Sequence, residues 1–150
     1  ITAGTLMRKA PTIVSPRSGP RMAVRTMEQM GSSSVYVVDE DRYLLGLLTI
    51  DDAIALEKEK VSNVSSKLVY DDIYVAREDR PVADLMATAL SAKYPIAVVD
   101  SDERLVGLVD RATVMAEVSE QGEDEFAPTL LQETENWNPE AVAEEQGDQQ

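Results

Sequence analysis

Slid against itself by 61 positions, the chain aligns residues 12–54 with residues 73–115 without a gap. "VYVVDEDRYLLGLLT", from Val35 to Thr49, returns as "IAVVDSDERLVGLVD", from Ile96 to Asp110. Val14 and Pro20 meet Val75 and Pro81, and Asp41, Leu44, Gly46 and Leu47 meet Asp102, Leu105, Gly107 and Leu108. A fixed internal period means two copies of one supersecondary unit. A unit of roughly 60 residues is marginal alone, because so short a chain leaves much of its apolar surface wet. Two copies that share a core remove that difficulty. The repeat therefore predicts an α+β fold of two β-α-β-β-α units packed sheet to sheet with pseudo-twofold symmetry.

Within each copy, "TIV" and "IYV" are short β-branched or aromatic runs ahead of turn residues, which suits strands. Pro20 and Pro81 sit where helices start, since a first-turn residue needs no N–H. Ala23, Val24, Met27 and Met30 share one helical face, as do Val82, Leu85, Met86 and Ala89. "VYVV" and "YLLGLLT" form a hairpin across the polar "DEDR", and the helices "IDDAIALEKEK" and "RATVMAEVSEQ" close the copies. The expected boundaries are 1–61 for repeat one, 62–118 for repeat two and 119–150 for an acidic tail. That tail is rich in Glu and Gln, with "FAPTLL" and Trp137 as apolar islands, and its charge predicts disorder.

Cysteine and histidine are both absent. Disulfides, thiolate chemistry, the usual zinc sites and every mechanism with an imidazole base are excluded with them. No catalytic residue and no metal ligand set is expected, and the chain reads as a non-enzyme. Its apolar runs are far shorter than the roughly 20 residues needed to cross a bilayer. The start at Ile1, with no initiator Met and no signal-like stretch, reads as the edge of a fragment.

The pattern of hydrophobic strand, "VVD", polar turn, "LLGLLT" or "LVGLVD", then helix, present twice, resembles a tandem cystathionine-β-synthase (CBS) domain pair, the Bateman module. More narrowly, "RPVADLMATALSAKYPIAVVDSDERLVGLV" and the acidic extension are similar to the C-terminal regulatory region of the ATP-binding subunit of glycine betaine/proline ABC transporters. The resemblance implies a cytoplasmic regulatory module at the inner face of the plasma membrane and a homodimer. It further implies a parent ABC ATPase domain and a permease as partners. No P-loop of the GxxxxGK[ST] type occurs in the sequence, so any ATPase would lie upstream.

CBS domains that bind adenosine nucleotides often end the third strand with Gly, two apolar residues, Ser or Thr, two more residues and Asp. Repeat one has Gly46, Thr49 and Asp52 at that spacing. By resemblance, Thr49 would face phosphate, Asp52 would accept both ribose hydroxyls, and backbone near Ile13 and Val35 would flank the base. AMP, ATP or another adenine nucleotide is the implied ligand. The same Thr49 and Asp52 also spell a capping box of the [ST]-x-x-[DE] kind, and Asp110 could cap the corresponding helix of repeat two. Capping alone accounts for position 49 in both copies, but capping does not demand the change from Asp52 to Thr113, which removes a two-oxygen acceptor. Both readings stay open at the level of sequence.

Charge is unevenly placed. Residues 1–116 hold 17 acidic and 14 basic residues, net −3, and residues 117–150 hold 11 acidic and none basic, net −11. Arg8, Lys9, Arg17, Arg21 and Arg25 lie in an opening stretch without one acidic residue. Such a head could meet an anionic membrane surface, ligand phosphates or the chain's own tail. Overall acidity and the lack of a groove-reading module argue against nucleic acid. Three functions remain: a sensor of ionic strength or a small ligand in an osmoprotectant transporter, an adenosine-nucleotide energy sensor attached to another enzyme or channel, or a dimerisation element.

Overall fold

The computed structural model describes residues 1–15, 17–121 and 135–140. In repeat one, β1 (Thr12–Val14) pairs in parallel with β2 (Ser34–Val38), and β2 pairs antiparallel with β3 (Leu44–Thr49). Helix α2 (Pro20–Met30) joins β1 to β2, and α3 (Ile50–Lys58) follows β3 directly. A short helix α1 (Ala3–Leu6) precedes them. Repeat two repeats the order with β4 (Tyr74–Arg77), a 3₁₀ turn (Val82–Leu85) running into α4 (Met86–Ser91), β5 (Ile96–Val99), β6 (Leu105–Val109) and α5 (Arg111–Gln121). The mixed α and β composition and the β-α-β-β-α order match the expectation for both copies.

The repeated "VVD" builds the β-hairpin turn. The Asp39 Oδ1 accepts N–H bonds from Asp41 and Tyr43, each at 2.9 Å, and Asp100 Oδ1 accepts from Asp102 at 2.9 Å and Arg104 at 3.0 Å. Both turns place a non-glycine residue in the left-handed region, Arg42 at φ 69° and Glu103 at φ 67°. That conformation costs about 1–2 kcal/mol for a residue with a Cβ, and the Asp carboxylate supplies the bonds that hold it.

Apolar periodicity predicts the helix faces with one exception. Ala23 and Met27 are fully buried, but Met30 is 50% exposed. Helix α2 ends there, because Gly31 turns left-handed at φ 62° and returns its N–H to Glu28, which directs the last turn outward. In repeat two Val82, Leu85 and Ala89 are buried as expected, yet the helix is split into a 3₁₀ turn and a six-residue α4.

By internal packing the described chain sorts into two compact units. Residues 1–10 belong with 71–137, and residues 11–70 form the other unit. The opening stretch therefore packs with the elements of repeat two. Ala3 and Gly4 donate to the carbonyls of Arg80 and Glu78 at 2.8 and 2.7 Å, and Arg8 exchanges backbone bonds with Leu108 at 2.9 and 3.0 Å. In repeat one the linker does the same work: Val69 exchanges bonds with Leu47 at 2.7 and 3.1 Å. Positions 8 and 69 are themselves 61 residues apart, as are Leu47 and Leu108, so the repeat extends further back than the side chains reveal.

The tail also departs from expectation in part. Helix α5 runs to Gln121, past residue 118, and Glu135–Asn136 form β7 on the outer edge of β4. The sheet of repeat two is thus four-stranded, in the order β6-β5-β4-β7. "FAPTLL" and the rest of the tail lie outside the described residues.

Candidate functional site

The β3–α3 junction is built by the apolar run "LLGLLT" ending at a hydroxyl. Thr49 is extended (φ −84°, ψ 156°), and its Oγ1 accepts the N–H of Asp52 at 3.2 Å. This is one arm of the expected capping box. The reciprocal arm is not made, and the half-buried Asp52 carboxylate takes no hydrogen bond or ion pair among the described residues. An acid in the first turn of a helix sits well with the aligned peptide dipoles.

Val35 pairs with Leu48, one rung from the pair Ser34–Thr49, so Val35 and Thr49 share one end of the sheet. Ile13 pairs with Val37, two residues further along β2 than Val35, a separation of roughly 7 Å at the rise of a strand. The side chains of Ile13 and Val35 are in the core with Ala23, Met27, Ala53 and Leu56. Backbone is what these two positions offer a ligand.

Repeat two has a different chemistry at the same junction. Asp110 does not cap α5 through its side chain. Its two oxygens accept the Nε and a terminal N–H of Arg8 at 2.6 and 3.2 Å, a two-pronged ion pair. The α5 amides of Thr113 and Val114 instead use the Asp110 backbone carbonyl. Guanidinium geometry explains the choice, since a fork of two donors outcompetes single amides for a carboxylate. The sequence reading missed this pair because Arg8 sits outside the span that aligns.

The five basic residues do not act as one head. Arg8 and Lys9 belong to the unit of repeat two, and Arg8 is consumed by Asp110. Arg17, Arg21 and Arg25, with Ser18, Gly19 and Met22, line an open groove of about 300 Å³ at the start of α2. Arg17 reaches Glu40 of the β2–β3 turn at 2.9 Å, and both are well exposed. Arg21 and Arg25 make no ion pair among the described residues. The loop that carries the groove is tied down by Ser15, whose hydroxyl is 3.1 Å from Asn63 Oδ1 and 2.8 Å from Ser65 Oγ. No metal-ligating cluster exists among the described residues.

Two CBS-domain matches, over residues 3–59 and 61–120, cover most of the chain. The chain belongs to the CBS-domain family and carries a tandem pair. Among its relatives, the glycine betaine/carnitine transport ATP-binding protein of Listeria monocytogenes is 32% identical over 118 residues, 79% of this chain. The glycine betaine transport ATP-binding protein of Bacillus subtilis is 31% identical over 124 residues, 82% of this chain. The chain spans about 29% of the length of each. A solved structure of Staphylococcus aureus OpuCA superposes with a TM-score of 0.66 at 29% identity, over 79% of this chain and 99% of that one. The CBSX2 protein solved in complex with AMP shares the fold, with a TM-score of 0.63 at 20% identity over 80% of this chain and 97% of that one.

Proposed function

We propose that this CBS pair is the regulatory part of an ATP-binding subunit in an ABC transporter for glycine betaine and related compatible solutes, with repeat one reading an adenine nucleotide such as AMP or ATP. The relatives named for glycine betaine and carnitine transport support the host. The uncommitted Asp52 carboxylate supports the ligand. A carboxylate beside a capped helix start can accept both hydroxyls of a ribose, which need a two-oxygen acceptor. Repeat two lacks it: Asp110 is paired with Arg8, and position 113 is Thr. ATP hydrolysis belongs to another part of the parent subunit, and this module would act at the inner face of the membrane through that parent. No described helix is long and apolar enough to cross a membrane itself.

Calorimetry with AMP, ADP and ATP tests the ligand. Asp52→Ala should weaken binding by about 1–3 kcal/mol, roughly 5- to 150-fold, because ribose hydroxyls lose their partner. Thr113→Ala should leave it unchanged. No binding of any adenine nucleotide by the unmodified chain, or equal losses from both substitutions, overturns the reading. We also propose a homodimer, supported by Met22, Met30 and Ile54, which are 49%, 50% and 38% exposed on α2 and α3. Light scattering that finds only monomer overturns that part. A second reading, ionic strength sensed at an anionic membrane surface, rests on the convergence of Arg17, Arg21 and Arg25 on one groove.

A further inference from the structure

We propose that the outer edge of β4 is a docking site for an extended, aromatic-anchored segment, filled in this chain by its own residues 135–137 as a displaceable strap. Repeat one serves as an internal control. Its corresponding strand, β1, completes the same fold with no strand on its outer edge among the described residues. The three-stranded sheet is therefore sufficient for a CBS unit, and β7 is an addition to it.

The addition has the form of strand augmentation, in which main-chain bonds give attachment and a side chain gives selectivity. Glu135 pairs with Val75 and Asn136 with Tyr74 in antiparallel register, and the Trp137 N–H donates to the Ile73 carbonyl at 2.6 Å. Trp137 is 8% exposed. An open edge strand is a template for any extended chain, and covering it is how folded proteins manage that liability. Two paired residues and one anchor are few enough contacts for the strap to leave without unfolding the repeat beneath. The edge is then available to another extended segment carrying a bulky aromatic, so the tail competes with such a segment for β4.

Trp137 is the chain's single tryptophan, which makes its emission a direct reporter. In the full chain, acrylamide should quench it several-fold less than free tryptophan. Replacing both Glu135→Pro and Asn136→Pro takes the Glu135 N–H out of the ladder with β4 and constrains the strap's backbone, while the Trp137 N–H and the reporter are kept. Quenching should then approach that of free tryptophan, with far-UV circular dichroism unchanged. A dye-labelled peptide of residues 131–140 should bind this variant saturably and the unmodified chain weakly, and a scrambled peptide should bind neither. Trp137→Ala provides a second chain with a vacated edge, and it should take the peptide as well. Quenching as fast as free tryptophan in the unmodified chain, protection that survives the prolines, or equal peptide binding by all chains overturns the proposal. Protection lost on dilution overturns docking within one chain and assigns the strap to a second copy.

Discussion

Gly46 and Gly107 show how far single positions of the repeat could be understood from sequence. A Cβ on Gly107 would lie 2.8 Å from the Arg8 carbonyl and 2.5 Å from Met7 Sδ, and one on Gly46 would lie 3.0 Å from Leu68 Cβ and 3.1 Å from the Val69 carbonyl. Backbone cannot yield as a flexible thioether can. Gly107→Ala should therefore destabilise by about 1–3 kcal/mol, and Gly46→Ala by less, as read by urea denaturation. Equal effects would contradict the geometry. Asp39→Ala and Asp100→Ala should each cost about 0.5–1.5 kcal/mol, because each removes the acceptor of two solvent-accessible turn amides. Alignment of the copies marked all four positions as special. It did not say why, because the segments that crowd the glycines pair through backbone bonds, which leave no signature in side-chain type.

At the scale of elements, strands and helices whose side chains alternate or recur on one face were legible, and those held by main chain or by one ion pair were not. "RATVMAEVSEQ" is α5 from end to end. By contrast β7 is two residues long and carries no pattern, and the docking of residues 1–10 on repeat two depends on bonds between backbones. Arg8–Asp110 adds a side-chain tie to that docking. Its members are 41% and 36% exposed, so water and salt screen it, and its contribution is at most about 1 kcal/mol. Arg8→Ala and Asp110→Ala should each cost that little in dilute buffer. A double-mutant cycle should show their coupling falling towards zero at 1 M salt, where the screening length is about 3 Å. Coupling that persists at high salt would mean a pair shielded from solvent.

For the whole molecule, the distribution of charge decides what ionic strength can act upon. The sequence presents five cations in one opening stretch, but folding sends Arg8 and Lys9 to repeat two and leaves Arg17, Arg21 and Arg25 around one groove of repeat one. Near an anionic leaflet each cation contributes about 1 kcal/mol, so three supply about 3 kcal/mol at most, less whatever Glu40 withholds from Arg17. The attraction acts over about 10 Å at 0.1 M salt and over about 3 Å at 1 M, so it fades as a cell loses water and its cytoplasm concentrates. A transporter required under those conditions could take release from the membrane as its trigger. Co-sedimentation of the full chain with anionic vesicles should thus decline across a salt series. Neutralising Arg21 and Arg25 together should remove most of the binding, while Arg8→Gln should change it little, because that guanidinium is already engaged by Asp110. Glu40→Gln should strengthen binding at low salt by freeing Arg17. Binding that ignores salt, or that survives loss of Arg21 and Arg25, would rule out the groove as the sensor and leave the nucleotide at repeat one as the signal.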